Sequence, residues 1–290
     1  MPTTELHPLV TFLLAYVIAS ITSLGGLSGA FLLLPFQVSV LGASGPVATA
    51  TNHLYNIIAT PTGAVRYARE GRLLWPLVAV IVVGTLPGVI IGTWIRIHWL
   101  SDPKLFALFL GAVLLLIGSR LIQRLRRSSP MPQPGNTFRP KTTRFDWRRL
   151  EYEFCGVAHS LPVPLVALLT LAVGVIGGAY GIGGGAIIAP ILVSLWGLPV
   201  HTIAGASLCG TFLTSTVAVL CFSMSGNAGS VGSLAPDWAL GLTLGLGGLF
   251  GTYTGARLQR FVPARPIEIL LALVTTGLGL AYIVGFLVRT

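Results

Sequence analysis

Long apolar stretches alternate with short polar segments along almost the whole chain. The pattern predicts ten helical segments, at about 9–24, 30–41, 46–67, 73–95, 105–122, 161–177, 186–196, 199–222, 238–258 and 267–287. Several of these approach the roughly 20 apolar residues that cross a bilayer as an α-helix. The sequence therefore predicts an all-α polytopic membrane protein with about five hydrophobic segments in each half.

One apolar segment in each half is short and follows a run of glycines. Gly25–Gly29 precedes the first of these segments, 30–41, and the stretch GGAYGIGGGAIIAP at 177–190 leads into the second, 186–196. Glycine lets the backbone leave the helical conformation, and helices of this length are too short to cross a bilayer comfortably. We expect a short, broken or re-entrant helix after the glycine-rich stretch in each half.

The two glycine-rich stretches belong to a weak internal repeat. An offset of 155 residues pairs Gly26 with Gly181, and the same offset pairs Pro35 with Pro190. Later in each half, an offset of 163 residues aligns the row 84, 88, 92 with the row 247, 251, 255. Repeats of this kind within membrane-like sequence are typical of secondary transporters. We expect a first membrane repeat over 1–122 and a second over 161–290.

Loop charges change sides between the two copies. The loop after the third segment carries Arg66, Arg69 and Arg72, whereas its counterpart at 223–237 contains no Lys or Arg. The next loop shows the reverse bias, because three arginines lie within 257–265. Cytoplasmic loops are enriched in basic residues, so this exchange predicts two repeats of inverted topology with both termini outside the cell.

Charge is scarce and concentrated in the middle of the chain. Only 9% of the residues are charged, the mean hydropathy is +0.84, and nine of the 18 Lys and Arg residues fall between Arg120 and Arg149. The segment 123–160 is therefore predicted to be a basic cytoplasmic linker of a protein in the cell (inner) membrane, with the lipid bilayer as a partner. The linker is expected to be irregular at first and to lie along the lipid headgroups later. Nothing in it indicates nucleic-acid binding.

Two of the predicted segments carry unusual numbers of polar side chains. The candidate substrate-binding residues on them are Thr49, Asn52, His53, Asn56, Ser207, Thr211 and Thr214. The offset of 155 places Asn52 opposite Ser207 and Asn56 opposite Thr211. Hydrogen bonding between helices is the structural alternative for these side chains. His53 is the titratable group placed to share a proton.

The predicted centre contains no formal charge. No Asp, Glu, Lys or Arg is expected deep in a segment, and Arg96 is assigned to a short outer loop. A small anion could instead be held by neutral donors and by backbone N–H groups. The glycine-rich stretches supply the candidates for such contacts: Gly26, Ser28, Gly29, Gly181, Gly183 and Gly184. No enzyme motif, cofactor site or metal site is indicated.

The paired glycine–proline elements resemble those of the TauE/SafE family, the sulfite exporter and organosulfonate permease group. The residues that carry the resemblance are GIGGGAIIAPIL at 181–192 with LPVHTIAGASL at 198–208, and the fainter LSGAFLLLPFQ at 27–37 with GPVATATN at 45–52. The first copy departs from the second, because Ser28 and Ala30 replace Gly183 and Gly185.

The resemblance implies a secondary transporter, acting mainly as an exporter, for a small sulfur-containing anion such as sulfite, sulfoacetate or a related organosulfonate. Alternating access would move the substrate, with H⁺ or Na⁺ as a possible coupling ion. Two alternatives stay open on sequence alone. One is a channel for small anions or neutral solutes, and the other is a membrane scaffold that acts through the basic linker.

Overall fold

The computed structural model describes residues 7–24, 27–43, 45–126, 139–225, 234–258, 261 and 264–289. Within these ranges the protein is mostly helical. The helices are α1 Pro8–Leu24, α2 Ala30–Ser39, α3 Gly45–Arg69, α4 Trp75–His98, α5 Pro103–Arg126, α6 Val163–Tyr180, α7 Gly185–Trp196, α8 Val200–Ser225, α9 Trp238–Leu258 and α10 Ala264–Arg289. The hydropathy pattern located each of them to within a few residues.

Five of these helices are long and apolar enough to cross a membrane by length and composition. They span Trp75–His98, Pro103–Gln123, Val163–Tyr180, His201–Ser225 and Arg265–Val288. The two helices that follow the glycine-rich stretches are much shorter, with 10 residues in α2 and 12 in α7. At about 1.5 Å per residue, neither is long enough to span the hydrocarbon core. The fold is that of a multi-pass membrane protein.

The break between α6 and α7 depends on glycine. Gly181 ends α6 with φ of 99°, and Gly183 has φ of 70°. Both values lie in the left-handed region, which residues with a Cβ rarely adopt. The corresponding break in the first half differs, because Ser28 stands at the position that matches Gly183 and does not have a positive φ. The described part of the first break therefore needs no left-handed residue.

A row of glycines joins α4 to α6. A Cβ placed on Gly88 would lie 2.3 Å from the backbone oxygen of Leu171, and one on Gly92 would lie 2.1 Å from that of Val175. The two helices thus pack with backbones in contact, as small residues four apart allow. Residues further along α4 contact residues further along α6, so the two helices are parallel.

A second row of glycines joins α9 to α1 in the same way. A Cβ on Gly251 would lie 2.4 Å from the backbone oxygen of Tyr16, and one on Gly255 would lie 2.4 Å from that of Ser20. These helices are also parallel. Each glycine row therefore packs against the first helix of the other half of the chain.

The helices that carry the predicted site, α3 and α8, run in opposite directions against each other. His53 contacts Ser215 near one end of their interface. Gly205 lies against Tyr67 near the other end. The helices α5 and α10 are likewise antiparallel, since a Cβ on Gly118 would meet Thr276 while one on Gly111 would meet Ile283.

The basic linker contains a small β-sheet, which corrects the prediction of an all-α protein. The strands are β1 Lys141–Phe145, β2 Arg149–Phe154 and β3 Val157–Pro162, paired antiparallel in the order β1-β2-β3. The inner face of β2 is formed by Leu150, Tyr152 and Phe154, which are buried in the hydrophobic core. The linker is thus folded onto the helices over this part of its length.

A buried tyrosine ties the sheet to α8. The hydroxyl of Tyr152 lies 3.1 Å from the hydroxyl of Thr202, in the first turn of that helix. Burial raises the pKa of Tyr152 to about 12, so the hydroxyl that makes this hydrogen bond stays protonated well into the alkaline range.

Candidate functional site

The polar face of α3 lies entirely inside the helix bundle. Asn52 is fully buried, and its amide group is fully used. Its Nδ2 donates to the backbone oxygens of Ala30 at 2.9 Å and Gly181 at 3.0 Å, while its Oδ1 accepts from Gln37 Nε2 at 3.0 Å. Asn52 therefore connects the start of α2 with the end of α6. Burying an amide is tolerated here because its hydrogen bonds are made.

Asn56 repeats this connection one turn further along α3. Its Nδ2 donates to the backbone oxygen of Gly181 at 3.3 Å, and its Oδ1 accepts from Ser28 Oγ at 2.7 Å. The carbonyl of Gly181 therefore accepts from both asparagines. The structure brings these predicted residues from two distant parts of the chain to one point.

The third buried polar group of α3 reaches α6 and α8. His53 Nδ1 lies 3.1 Å from Ser215 Oγ, and His53 Nε2 lies 3.3 Å from the backbone oxygen of Gly178. With the proton on Nε2, the ring donates to the Gly178 oxygen and accepts from the serine hydroxyl. Both ring nitrogens then have a partner.

The hydroxyls of α8 divide into two groups. Thr214 accepts a hydrogen bond from the backbone N–H of Gly184 at 3.0 Å and donates to the backbone oxygen of Gly210 at 2.6 Å. Ser207 and Thr211 are also buried, with 1% and 0% of their surface exposed, but no described group forms a hydrogen bond with either hydroxyl. The Thr211 hydroxyl and the backbone oxygen of Ser207 lie against Gly185. These two hydroxyls have hydrogen-bonding capacity that the fold does not use.

The residues predicted to bind an anion at the glycine-rich stretches differ in the contacts that they already make within the protein. The N–H of Gly181 donates to the backbone oxygen of Gly177, and the N–H of Gly184 donates to Thr214. Ser28 donates to Asn56, and Gly29 precedes α2 and packs against Tyr55. Gly183 packs against Thr211 and Ser215. Gly26 lies outside the described residues. Anion binding by these groups stays a prediction.

Arg96 was assigned to an outer loop, which is wrong. It lies in α4 and is fully buried. Its Nε donates to Thr49 Oγ1 at 2.9 Å, and its Nη groups donate to the backbone oxygens of Leu100 and Gly45. A charged side chain therefore borders the predicted site. The sequence contains a signal for it, because Arg96 continues the glycine row 84, 88, 92 by one more step of four.

Gln37 is a second residue that the sequence interpretation missed. It lies in the otherwise mostly apolar α2, is fully buried, and binds Asn52. Its own Oε1 has no hydrogen-bond partner among the described groups. An amide in a short apolar helix is itself the signal, since such a group needs a partner inside a membrane protein.

The polar centre is occluded in this structure. Thr49, Asn52, His53, Asn56, Thr211 and Thr214 are each 0% exposed. An apolar groove of about 240 Å³ lies elsewhere, between α3, α4 and α8, and contains none of the predicted site residues. Within the described ranges, no cluster of His, Cys, Asp and Glu could hold a metal ion. The centre contains two buried hydroxyls without a described partner and is bordered by a guanidinium, and such donors suit a solute rich in acceptor oxygens.

Comparison with known proteins places the whole chain in one group. A family profile described as "Sulfite exporter TauE/SafE" matches residues 11–282. The chain is 26% identical over 277 residues to "Probable membrane transporter protein YjnA" of Bacillus subtilis (strain 168), covering 93% of this chain and 98% of that protein. It is 22% identical over 277 residues to "Probable membrane transporter protein YunE" of the same organism, covering 93% and 95%.

A more distant organism supplies a partial match. "Probable membrane transporter protein MJ0441" of Methanocaldococcus jannaschii is 29% identical over 120 residues, which cover 39% of this chain and 40% of that protein. The profile match extends over nearly the full length of this chain, including both glycine–proline elements. The chain therefore belongs to the sulfite exporter TauE/SafE family.

Proposed function

We propose that the protein is a secondary transporter that exports a small sulfur-containing anion, such as sulfite, sulfoacetate or a related organosulfonate, by alternating access. Membrane transport follows from the family and from the names of its relatives. The substrate class and the direction are our proposal. We further propose that the chain lies in the inner membrane with its basic linker in the cytoplasm, and that it is not an enzyme.

The observation that carries the proposal is the unused hydrogen-bonding capacity at the centre. Ser207 and Thr211 are buried hydroxyls without partners among the described groups, and they lie beside the glycine break before α7. An unsatisfied buried polar group is costly, so a ligand that accepts a hydrogen bond from it gains stability. Sulfite and sulfonate oxygens would accept from these hydroxyls.

The helix directions support two repeats of inverted topology. The equivalent helices α3 and α8 are antiparallel, and so are α5 and α10, as the contacts of His53 and Gly118 indicate. In an inverted repeat, α1 of the first half corresponds to α6 of the second, and α4 corresponds to α9. The contact between α1 and α9 then has a counterpart in the contact between α6 and α4, and both pairs are parallel. Repeats related in this way can rock around a fixed central site, with α2 and α7 as re-entrant elements. H⁺ or Na⁺ is the proposed coupling ion.

The first experiment is a thermal-shift screen of the purified protein with sulfite, sulfoacetate, other organosulfonates and non-sulfur anions. A ligand of the native state raises the apparent melting temperature by mass action. Proteoliposomes are then loaded with the stabilising anion, and we expect saturable efflux that is accelerated by the same anion on the other side. The proposal fails if no sulfur anion stabilises the protein and none is transported.

The same liposomes distinguish the alternatives. Flux that never saturates and shows no acceleration by external anion would indicate a channel instead. A scaffold would show no flux of any tested anion, while deletion of residues 128–145 would abolish the biological activity in cells.

A further inference from the structure

Arg96 is a buried cation that contacts a residue of the proposed centre, Thr49. It lies on the same face of α4 as the glycine row that packs on α6, one turn beyond Gly92. Because α6 ends at Tyr180, the guanidinium extends past the end of that helix. It binds Thr49, and the backbone of Thr49 lies against Gly181. Arg96 therefore lies next to the break at which Asn52 and Asn56 converge.

The described contacts of Arg96 are with neutral groups. Its hydrogen-bond acceptors are the Thr49 hydroxyl and the backbone oxygens of Leu100 and Gly45, and its guanidinium carbon lies 3.6 Å from the ring centroid of Phe106. Within the described part of the chain, no carboxylate forms an ion pair with it. Buried charges are costly unless they are paired, and they tend to mark binding sites in membrane proteins.

A second buried arginine provides the contrast. Arg72, 2% exposed, lies in the loop between α3 and α4 and forms an ion pair with Glu70 at 2.8 Å. Its Nη2 donates to His201 Nδ1 at 2.9 Å. Arg72 thus joins the end of α3 to the start of α8 with its charge compensated. Arg96 joins the start of α3 to the end of α4 without such compensation.

We propose that Arg96, together with Thr49, forms an anion-binding position at the α4 end of the substrate pathway, and that it selects anions over neutral solutes. The inference rests on the proposed transport function and adds a cationic group to a centre that otherwise offers neutral donors. Opening of the bundle breaks the hydrogen bond from Arg96 Nε–H to the Thr49 hydroxyl and frees this donor for the anion. The bound anion then supplies the missing negative charge. A guanidinium suits sulfite and sulfonate oxygens because its planar donors match them in pairs.

The test compares an anion with a neutral molecule of similar shape, methanesulfonate and methanesulfonamide. Their dissociation constants are measured by thermal shift on the wild-type protein and on Arg96→Gln, Arg96→Lys and Arg72→Gln. We expect Arg96→Gln to weaken methanesulfonate binding by about tenfold to a hundredfold, as for the loss of one charged hydrogen bond, and to leave methanesulfonamide binding unchanged. Arg72→Gln, the matched buried arginine, should keep the preference for the anion.

A purely structural role for Arg96 predicts a different result, in which both ligands bind equally less well. That result, or an unchanged preference in Arg96→Gln, overturns the inference while saturable transport by the wild-type protein leaves the proposed function intact. If Arg96→Gln does not fold, Arg96→Lys decides the question, since it keeps the charge without the planar donors. A folded Lys variant that retains the preference supports the inference, and one that loses it overturns the inference.

The wild-type protein also separates the two proposals. If it neither binds nor moves sulfur anions, the proposed function fails, and the same comparison is made with nitrate, formate and phosphate. Stabilisation by one of these anions that disappears in Arg96→Gln supports the anion position. No stabilisation by any anion overturns it.

Discussion

The polar helices α3 and α8, which the offset of 155 residues aligns, use their central side chains differently. Asn52 and Asn56 on α3 are hydrogen-bonded to the end of α6, and they also bind the start of α2 and Ser28 just before it. Their counterparts on α8, Ser207 and Thr211, have no hydrogen-bond partner among the described groups. One half thus uses its polar pair to hold the fold together, and the other half retains free donors.

The difference starts at the glycine breaks. The first half carries Ser28 and Ala30 where the second carries Gly183 and Gly185. Ser28 fills its position with a hydroxyl that binds Asn56. Gly185, in contrast, lets the backbone of α8 approach closely. A Cβ on Gly185 would lie 1.8 Å from the backbone oxygen of Ser207. The comparison teaches that two glycine-rich elements with similar sequences can leave the polar side chains beside them with different hydrogen bonding.

The largest effect is expected from Gly185→Ala, which gives the second half the residue that the first half carries at position 30. The added methyl group would collide with the Ser207 carbonyl, and backbone atoms cannot move aside cheaply. We expect loss of the folded protein, measured as loss of a monodisperse peak in size-exclusion chromatography of the detergent-solubilised protein. Gly277→Ala in α10 is the control, because nothing lies within 4 Å of its Cβ position. Equal behaviour of the two variants would show that the halves are interchangeable here.

A smaller but clear loss of stability is expected from Asn52→Ala. The change removes three buried hydrogen bonds and leaves the amide of Gln37 without this partner. The free energy of unfolding should fall by about 2–3 kcal/mol. The melting temperature of the purified protein measures this loss. Thr275→Val is the control, since the Thr275 hydroxyl bonds only to the backbone of its own helix. A melting temperature that matches the control would contradict the structural role of Asn52.

The smallest effect on stability is expected from Ser207→Ala and Thr211→Val. Neither hydroxyl has a partner among the described groups, so the melting temperature should change little or rise slightly. Transport should nevertheless weaken, with KM for the sulfur anion raised about fivefold for each lost hydrogen bond to the substrate. Efflux kinetics in proteoliposomes provide the measurement. An unchanged KM in both variants would remove these hydroxyls from the substrate site.

The sequence allowed the helices and the short segments after the glycines to be predicted well. A bilayer demands long apolar runs, so the ends of α1 and α9 could be located from hydropathy alone. The polar faces of α3 and α8 were also predicted, since buried amides such as Asn52 must meet partners. Which of these groups would be saturated could not be predicted, because this depends on the carbonyl of Gly181, released by a backbone break far along the chain.

Two features were predicted wrongly because the charged residues were given more weight than the spacing of the side chains. The alternation of Leu150, Tyr152 and Phe154 with two glutamates is a strand pattern inside a basic linker. Arg96 follows the four-residue spacing of the glycine row, yet a charge near a segment end indicated a loop. In both places the spacing of the side chains indicates which of them face the protein interior better than the residue type does.

The glycine rows have a consequence for how the protein is made. Because α1 packs on α9 and α4 packs on α6, each of these first-half helices depends on a surface that is encoded more than 70 residues later. During synthesis, α1 and α4 are made before their partner helices, so the faces that pack on α9 and α6 are at first open to lipid. Two separately synthesised halves should therefore be unstable alone and should assemble into a working protein when they are produced in the same cell.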